Sequence, residues 1–184
     1  MSEFGFTSHA YADDTQLYIS VAAASCQEAI ERFAGCLERV RDWMASNRLK
    51  LNEDKTQITW LGTRHQLNKT LSQTLTLRNA TVLQFSTAIK NLGVLVDSQL
   101  TMADHIAAVC RSGFFQLRQL RSITQSLTPA AVKTLVYAFI SSRLDYCNQL
   151  FVGVTGRLLG KLQSLQNAAA RLVTGARNST TSLM

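Results

Sequence analysis

Two adjacent carboxylates near the start of the chain have the types and spacing best suited to chemistry. Asp13 and Asp14 stand between segments rich in aromatic and β-branched residues, as at the turn of a hairpin. Like charges about 4 Å apart repel by roughly 4 kcal/mol at an effective dielectric of 20, and a divalent cation removes that cost. Mg²⁺ is typically held by one or two carboxylates together with substrate phosphates. The pair is therefore either a magnesium site or a solvated acidic turn.

The string Tyr11-Ala12-Asp13-Asp14 resembles the Y-x-D-D motif of reverse transcriptases. The longer string from His9 to Tyr18 is similar to the form found in non-LTR, LINE-type retrotransposons of the jockey-like kind. The resemblance implies a palm hairpin whose carboxylates hold two Mg²⁺ ions, with Tyr11 near the primer–template. In that family a third metal-binding carboxylate lies on an earlier palm strand. The chain starts shortly before the motif, so we expect that strand to be missing and Mg²⁺ binding to be weak or absent.

Two further motifs extend the resemblance. The segment Asn52-Glu53-Asp54-Lys55-Thr56 is similar to the family's N-x-x-K-T pattern, which implies that Lys55 serves the leaving pyrophosphate. The alternative is a surface lysine at the start of a strand. The segment from Leu92 to Asp97 resembles the L-G-V-x-x-D element, the primer grip, which implies that Leu92 and Gly93 contact the primer backbone. Glycine in a strand suits a close backbone approach, and a structural bulge is equally compatible.

Local patterns predict the elements of the first hundred residues. A capping box at Ser25 and Glu28, followed by apolar residues at helical spacing, predicts a helix of about 20 residues that ends near Asn47 and covers the hairpin. We predict a strand at 55–62, a loop at 64–74, three short strands at 75–77, 81–85 and 88–96, and a turn at Asn79-Ala80. Hairpin, helix and strand form part of a ferredoxin-like βαββαβ layout. Without the first strand of that layout, residues 15–21 and 56–61 either pair in parallel or stay apart.

The second half of the sequence has helical periodicity. Thr101 and Asp104 predict another capping box, Thr128-Pro129 predicts a helix start, and Gly175 predicts the end of a helix that begins near Gly156. Three amphipathic helices with short connections predict a small bundle. Segments 135–148 and 162–175 closely resemble the thumb region of the same family, so the resemblance extends from about His9 to Gly175. The residues expected to face inward include Phe114, Phe139 and Leu159.

The net charge of +7 is concentrated in the second half of the chain. Residues 1–104 carry ten Lys/Arg and eleven Asp/Glu, whereas residues 105–184 carry nine Lys/Arg and one acid, Asp145, which gives +8. A basic half usually binds nucleic acid or an anionic membrane. No apolar stretch approaches the ~20 residues of a membrane span. We therefore expect nucleic-acid binding without a membrane partner, and a basic solvated face is the alternative. The candidate binding residues are Arg111, Arg118, Arg121, Lys133, Arg157, Lys161 and Arg171.

Cysteine and histidine positions bear on metal content and compartment. The four cysteines include no C-x-x-C pair and the three histidines are scattered, so zinc is not expected. Isolated cysteines suit a reducing compartment. The N-terminus lacks a signal-peptide pattern. We therefore expect an intracellular protein of the nucleus or cytoplasm.

These features together predict an α+β chain in three parts. Residues 1–63 form a truncated ferredoxin-like palm, residues 64–100 a connecting β element, and residues 101–184 an α-helical thumb with a C-terminal extension. The family's activity is RNA-directed DNA synthesis, with an RNA template and a DNA primer as partners. We expect this chain alone to be inactive without the fingers and the rest of the palm, which a missing N-terminal part of the polymerase would supply. The alternatives are a non-enzymatic nucleic-acid-binding remnant kept as an interaction module, and the product of a degraded element without function.

Overall fold

A computed structural model describes residues 5–12, 14–69, 74–78 and 82–176. The chain divides into two compact units, Met1–Ile89 and Lys90–Met184, called unit 1 and unit 2. Unit 1 combines one long helix with small antiparallel strand pairs, and unit 2 is mainly helical. The strands of the described residues form three two-stranded sheets. The predicted mixture of helices and strands is therefore confirmed at the level of class.

Unit 1 begins with the predicted hairpin. Strands β1 (Thr7–Tyr11) and β2 (Asp14–Tyr18) pair antiparallel, with Tyr11 opposite Asp14. Two residues connect them, and Ala12 has a φ of +53°. Two-residue hairpin loops favour positive φ because that backbone twist matches the twist of the strands. The hairpin is therefore confirmed, and Asp13 in its loop lies outside the described residues.

Helix α1 (Cys26–Ser46) is also confirmed, but its predicted capping box is wrong. A short 3-10 turn at Ala23–Ser25 precedes the helix, and the Ser25 side chain makes no capping hydrogen bond. The helix does not cover the hairpin, whose strand β1 is exposed throughout. Its buried face packs instead against β3 (Thr74–Thr76) and β4 (Val82–Gln84). Phe6, just before β1, reaches α1 through an edge-to-face contact with Phe33 at 5.0 Å between ring centroids.

The strand predicted at 55–62 does not form. Residues Glu53–Lys55 make a 3-10 turn, and Ile58 forms a single parallel bridge with Phe85 beyond the end of β4. A strand needs a neighbour along its length, and β2 pairs only with β1. Residues 15–21 and 56–61 therefore stay apart. Ile58 is nevertheless buried in the core of α1, β3 and β4.

The loop predicted at 64–74 contains a short helix, α2 (Arg64–Leu67). Thr63 and Gln66 form a reciprocal capping box, in which the Thr63 hydroxyl accepts from the Gln66 backbone and the Gln66 side chain accepts from the Thr63 backbone. This T-x-x-Q pattern is a recognised helix start. The turn predicted at Asn79-Ala80 lies outside the described residues.

The segment predicted as a single strand at 88–96 forms a hairpin of two strands instead. Its two arms are β5 (Ala88–Asn91) and β6 (Val94–Asp97), and Leu92 and Gly93 form the turn with φ values of +45° and +85°. Two successive positive φ values are typical of the type I′ hairpin turn. Gly93 therefore serves the turn, and the prediction that it lies inside a strand is wrong.

Unit 2 contains the helices α3 (Ala103–Ile123), α4 (Pro129–Val136), α5 (Ser142–Asp145) and α6 (Gly156–Thr174), with a π-helical turn at Tyr137–Ser141 between α4 and α5. Thr128 caps α4 and Gly175 ends α6 in a left-handed conformation, both as predicted. The helices pack around two apolar clusters in the described residues. The first contains the buried residues Leu117, Leu120, Val132, Val136, Ile140, Leu165 and Ala169. The second contains Val94, Met102, Ile106, Cys110, Phe151 and Leu158.

Several details of unit 2 correct the sequence interpretation. The capping box at Thr101 is wrong, because the Thr101 hydroxyl donates to Asp97 and Met102 stands before α3 in a left-handed conformation. Phe114 is 41% exposed because the adjacent Gly113 takes the inward position. Phe139 is 39% exposed. It lies in the π-helical turn, which shifts the helical register by one residue. Leu159 is also exposed, next to the buried Leu158.

No helix in the described part of the chain is long and apolar enough to cross a membrane.

Candidate nucleic-acid interface

The end of the first hairpin presents Tyr11 and Asp14. They face each other as the pair of residues that flanks the hairpin loop. Tyr11 is 69% exposed and Asp14 is also exposed. Both side chains are therefore accessible to a ligand in solution.

The residues around Lys55 form a closed turn. The Asn52 side-chain oxygen accepts from the Lys55 backbone at 3.2 Å, and the Thr56 hydroxyl donates to the Asn52 carbonyl at 2.9 Å. The first, fourth and fifth residues of N-x-x-K-T are therefore linked by local hydrogen bonds. The Lys55 side chain is exposed, and no hydrogen bond or ion pair between described residues joins it to the first hairpin.

Of the two adjacent carboxylates of the first hairpin, Asp14 lies within the described residues and Asp13 does not. In the described ranges no group of three histidine, cysteine, aspartate or glutamate side chains is placed to hold a metal ion. Two-metal sites need carboxylates that converge on both ions.

The tip of the β5–β6 hairpin is tied to the helices of unit 2. The Tyr146 hydroxyl donates to the Leu92 carbonyl at 2.5 Å, and the Leu92 side chain is 42% exposed. A Cβ at Gly93 would lie 3.6 Å from the Tyr146 ring, an ordinary van der Waals distance. Tyr146 thus holds the turn of the segment that resembles the primer grip.

Asp97, the aspartate of the L-G-V-x-x-D segment, stabilises the turn that follows β6. Asp97 is 8% exposed, and its carboxylate accepts from the Thr101 backbone at 2.9 Å, the Thr101 hydroxyl at 3.0 Å and the Gln99 backbone at 3.1 Å. Burial alone would raise the pKa of Asp97, but these hydrogen bonds outweigh burial and lower the pKa. The carboxylate therefore fixes the connection between β6 and α3.

One face of α3 interleaves cations with aromatic rings. Its residues recur at spacings of three and four, so they share a side of the helix. Phe115 is 54% exposed and Phe114 41% exposed, and the buried residues of α3 occupy the opposite side. We call this the α3 face; its residues are Arg111, Phe114, Phe115, Arg118 and Arg121.

A second basic face lies on α6. Arg157, Lys161 and Arg171 are exposed, and their spacings of four and ten residues place them on one side of the helix. Lys133 is exposed on α4. Within the described part of the chain, none of the seven candidate cations forms an ion pair with a carboxylate. Their charge is therefore available to an anionic partner.

An open surface cavity of about 300 Å³ lies on unit 2 beside α3. Sequence reasoning named only one of its lining residues, Gly93, as a site residue. His105 also lines the cavity and is 5% exposed. Its Nδ1 accepts a hydrogen bond from the Leu95 backbone at 3.3 Å. Its buried Nε2 has no hydrogen-bond partner among the described residues. Burial lowers the pKa of His105. The lining residues are Gly93, His105, Val109, Ser142, Arg143 and Tyr146.

Comparison with known proteins adds no family or fold assignment: no protein-family model, no curated protein and no solved structure matches the chain.

Proposed function

We propose that this chain is the palm and thumb part of a reverse transcriptase of the non-LTR, LINE-type class, and that its own activity is to bind RNA and DNA strands through unit 2. Binding uses the phosphates and has no sequence preference. The observation that carries the proposal is the set of seven exposed cations on α3, α4 and α6 without ion-pair partners among the described carboxylates. Lys and Arg that neutralise phosphates release counterions, and this release supplies most of non-specific affinity.

The α3 face favours nucleic acid over other polyanions. Phe114 and Phe115 stand among three arginines, and exposed aromatic rings beside cations are a common arrangement for strands with unpaired bases. Bases stack on the rings while the arginines contact the phosphates. Phe114 and Phe115 are adjacent, and contiguous exposed apolar area often marks a binding site.

The sequence motifs support the assignment to a reverse transcriptase. Tyr11 and Asp14 lie at a hairpin end, and Lys55 lies in a turn closed by Asn52 and Thr56. The palm, residues 1–63, would then lie in unit 1 and the thumb, residues 101–184, in unit 2.

The test compares two triple variants of equal charge change. Arg111→Gln/Arg118→Gln/Arg121→Gln removes the cations of the α3 face, and Lys50→Gln/Arg64→Gln/Lys69→Gln removes three exposed cations of unit 1. Binding of a labelled RNA–DNA primer–template is followed by fluorescence anisotropy at several salt concentrations. The α3 variant should bind more weakly, and its salt slope should fall by about one unit for each phosphate that the variant no longer neutralises.

The unit 1 variant should keep affinity and slope near those of the unaltered chain. Equal losses in both variants would contradict the proposal, because they would assign binding to overall charge.

A further inference from the structure

The cavity of unit 2 has the chemistry of a recognition site. It is open to solvent and is bordered by the β5–β6 turn, the first half of α3 and the segment from Ser142 to Tyr146. No carboxylate lines it. Its walls combine the half-buried Val109, the turn at Gly93 and the ring of Tyr146 with the charged Arg143. Its volume is at the lower end of the range for ligand pockets.

His105 lines this cavity, and its ring, which stacks on Phe151, has a buried nitrogen without a partner among the described residues. Its Nδ1 accepts from the Leu95 backbone, so the ring proton lies on Nε2. Burial lowers the pKa of His105, so the ring stays neutral near pH 7. The Nε2–H is buried without a partner among the described residues. Such a group costs about 1–3 kcal/mol relative to a paired one, and a ligand with an acceptor would remove that cost.

Arg143 supplies a positive charge at the same cavity. One of its guanidinium nitrogens donates to the Ser112 hydroxyl at 2.5 Å, which fixes the side chain against α3. The side chain is exposed, and its other N–H groups can contact an anion. The Tyr146 hydroxyl donates to Leu92, which fixes the ring that forms another wall. The cavity therefore offers an apolar wall, a fixed aromatic ring, a neutral donor and an exposed cation.

We propose that this cavity receives one unpaired nucleotide of a bound strand. The base enters against the Tyr146 ring and accepts a hydrogen bond from His105 Nε2–H, and the adjoining phosphate contacts Arg143. Proteins that bind single strands recognise unstacked bases by aromatic or guanidinium planes together with hydrogen bonds to base edges. Pyrimidine carbonyls are suitable acceptors. This inference rests on the proposed strand binding and adds a preference for single strands over duplexes.

The test uses the full chain and three labelled probes: an oligothymidylate of about ten nucleotides, an abasic strand of the same length, and a duplex of the same length. Val109→Phe fills the cavity without removing a polar group. His105→Leu removes the donor, and His105→Gln keeps an N–H near the position of Nε2. Circular dichroism and thermal unfolding verify that each variant is folded.

Val109→Phe and His105→Leu should bind oligothymidylate about tenfold more weakly. Duplex affinity should stay within about twofold, and so should affinity for the abasic strand, which has phosphates but no bases. His105→Gln should retain most of the affinity for oligothymidylate. Unchanged oligothymidylate binding in Val109→Phe, or equal losses on all three probes, would overturn the inference.

Nuclear magnetic resonance provides a second measurement that needs no variant. The Nε2–H resonance of His105 should shift when oligothymidylate saturates the chain and should stay in place when the abasic strand does. A resonance that does not move with bound oligothymidylate would overturn the inference even if His105→Leu fails to fold. Failure of the proposed function is a different result, in which the unaltered chain binds none of the three probes at low salt.

Discussion

Gly113 allows α3 and α6 to approach closely, and replacing it with alanine tests the packing of unit 2. A Cβ at this position would lie 2.5 Å from Leu165 Cδ2, 2.9 Å from its Cδ1 and 3.2 Å from its Cγ. Leu165 is 1% exposed and belongs to the central apolar core, so its side chain has little room to move. Forcing a methyl group into a packed core costs about 1–3 kcal/mol.

Gly160 in α6 is the matched control. A Cβ there would meet nothing within 4 Å. Alanine is favoured over glycine in a helix interior by about 1 kcal/mol, so Gly160→Ala should stabilise the chain by that amount. Gly113→Ala has the same gain in helix propensity but disrupts the packing against Leu165. The difference in free energy of unfolding between the two variants therefore isolates the packing cost, about 1–3 kcal/mol.

Urea unfolding followed by circular dichroism measures both variants. The midpoints should separate while the slope with denaturant stays constant. Adding Gly113→Ala to Leu165→Ala should no longer destabilise, because the clashing side chain is gone; the double-mutant cycle measures this coupling. If Gly113→Ala stabilises the chain as much as Gly160→Ala does, the close approach of α3 and α6 is wrong.

Three further predictions concern other parts of the chain. Tyr146→Phe removes the hydroxyl that donates to Leu92 and should lower the free energy of unfolding by about 0.5–1.5 kcal/mol in a urea titration. The control is Tyr137→Phe at a 64% exposed position, which should change the free energy of unfolding by less than about 0.5 kcal/mol. The pKa of His105 is lowered in the folded chain, so the unfolded chain binds a proton at a higher pH than the folded chain does, and stability should fall as the pH drops below about 6.5. His105→Gln should remove this contribution from unfolding curves recorded at a series of pH values. The same pH dependence in His105→Gln would refute the prediction. Primer extension on an RNA template with Mg²⁺ and deoxynucleotides should give no product from the chain alone, and extension abolished by Asp13→Asn/Asp14→Asn would contradict that expectation.

Local sequence signals accounted for much of the fold. Aromatic and β-branched residues on both sides of Asp13 and Asp14 predicted the first hairpin, and helical periodicity predicted α1 and α3. Thr128 and Gly175 marked helix ends. Each of these signals acts over a few residues, so the sequence itself contains the interaction. The exposure of the seven cations follows in the same way, since helical spacing separates them from the apolar stripes.

Features that depend on distant partners could not be predicted. Ile58 is buried, but the sequence cannot show that, among the described residues, its strand-like partner is Phe85. Phe114 has the spacing of a core residue, but Gly113 takes the inward position against Leu165. His105 has no local signal, because its hydrogen-bond donor is Leu95 in a different element and its cavity neighbours include residues of the segment after α4.

The salt dependence of nucleic-acid binding by the unaltered chain tests the central claim most directly. If about four phosphates are neutralised, the logarithm of the association constant for an RNA–DNA primer–template should fall with the logarithm of salt concentration at a slope of about −3 to −4. Random-sequence duplexes of equal length should give the same slope. No binding at low salt, or a slope near zero, would contradict the assignment of the exposed cations of α3, α4 and α6 to phosphate binding.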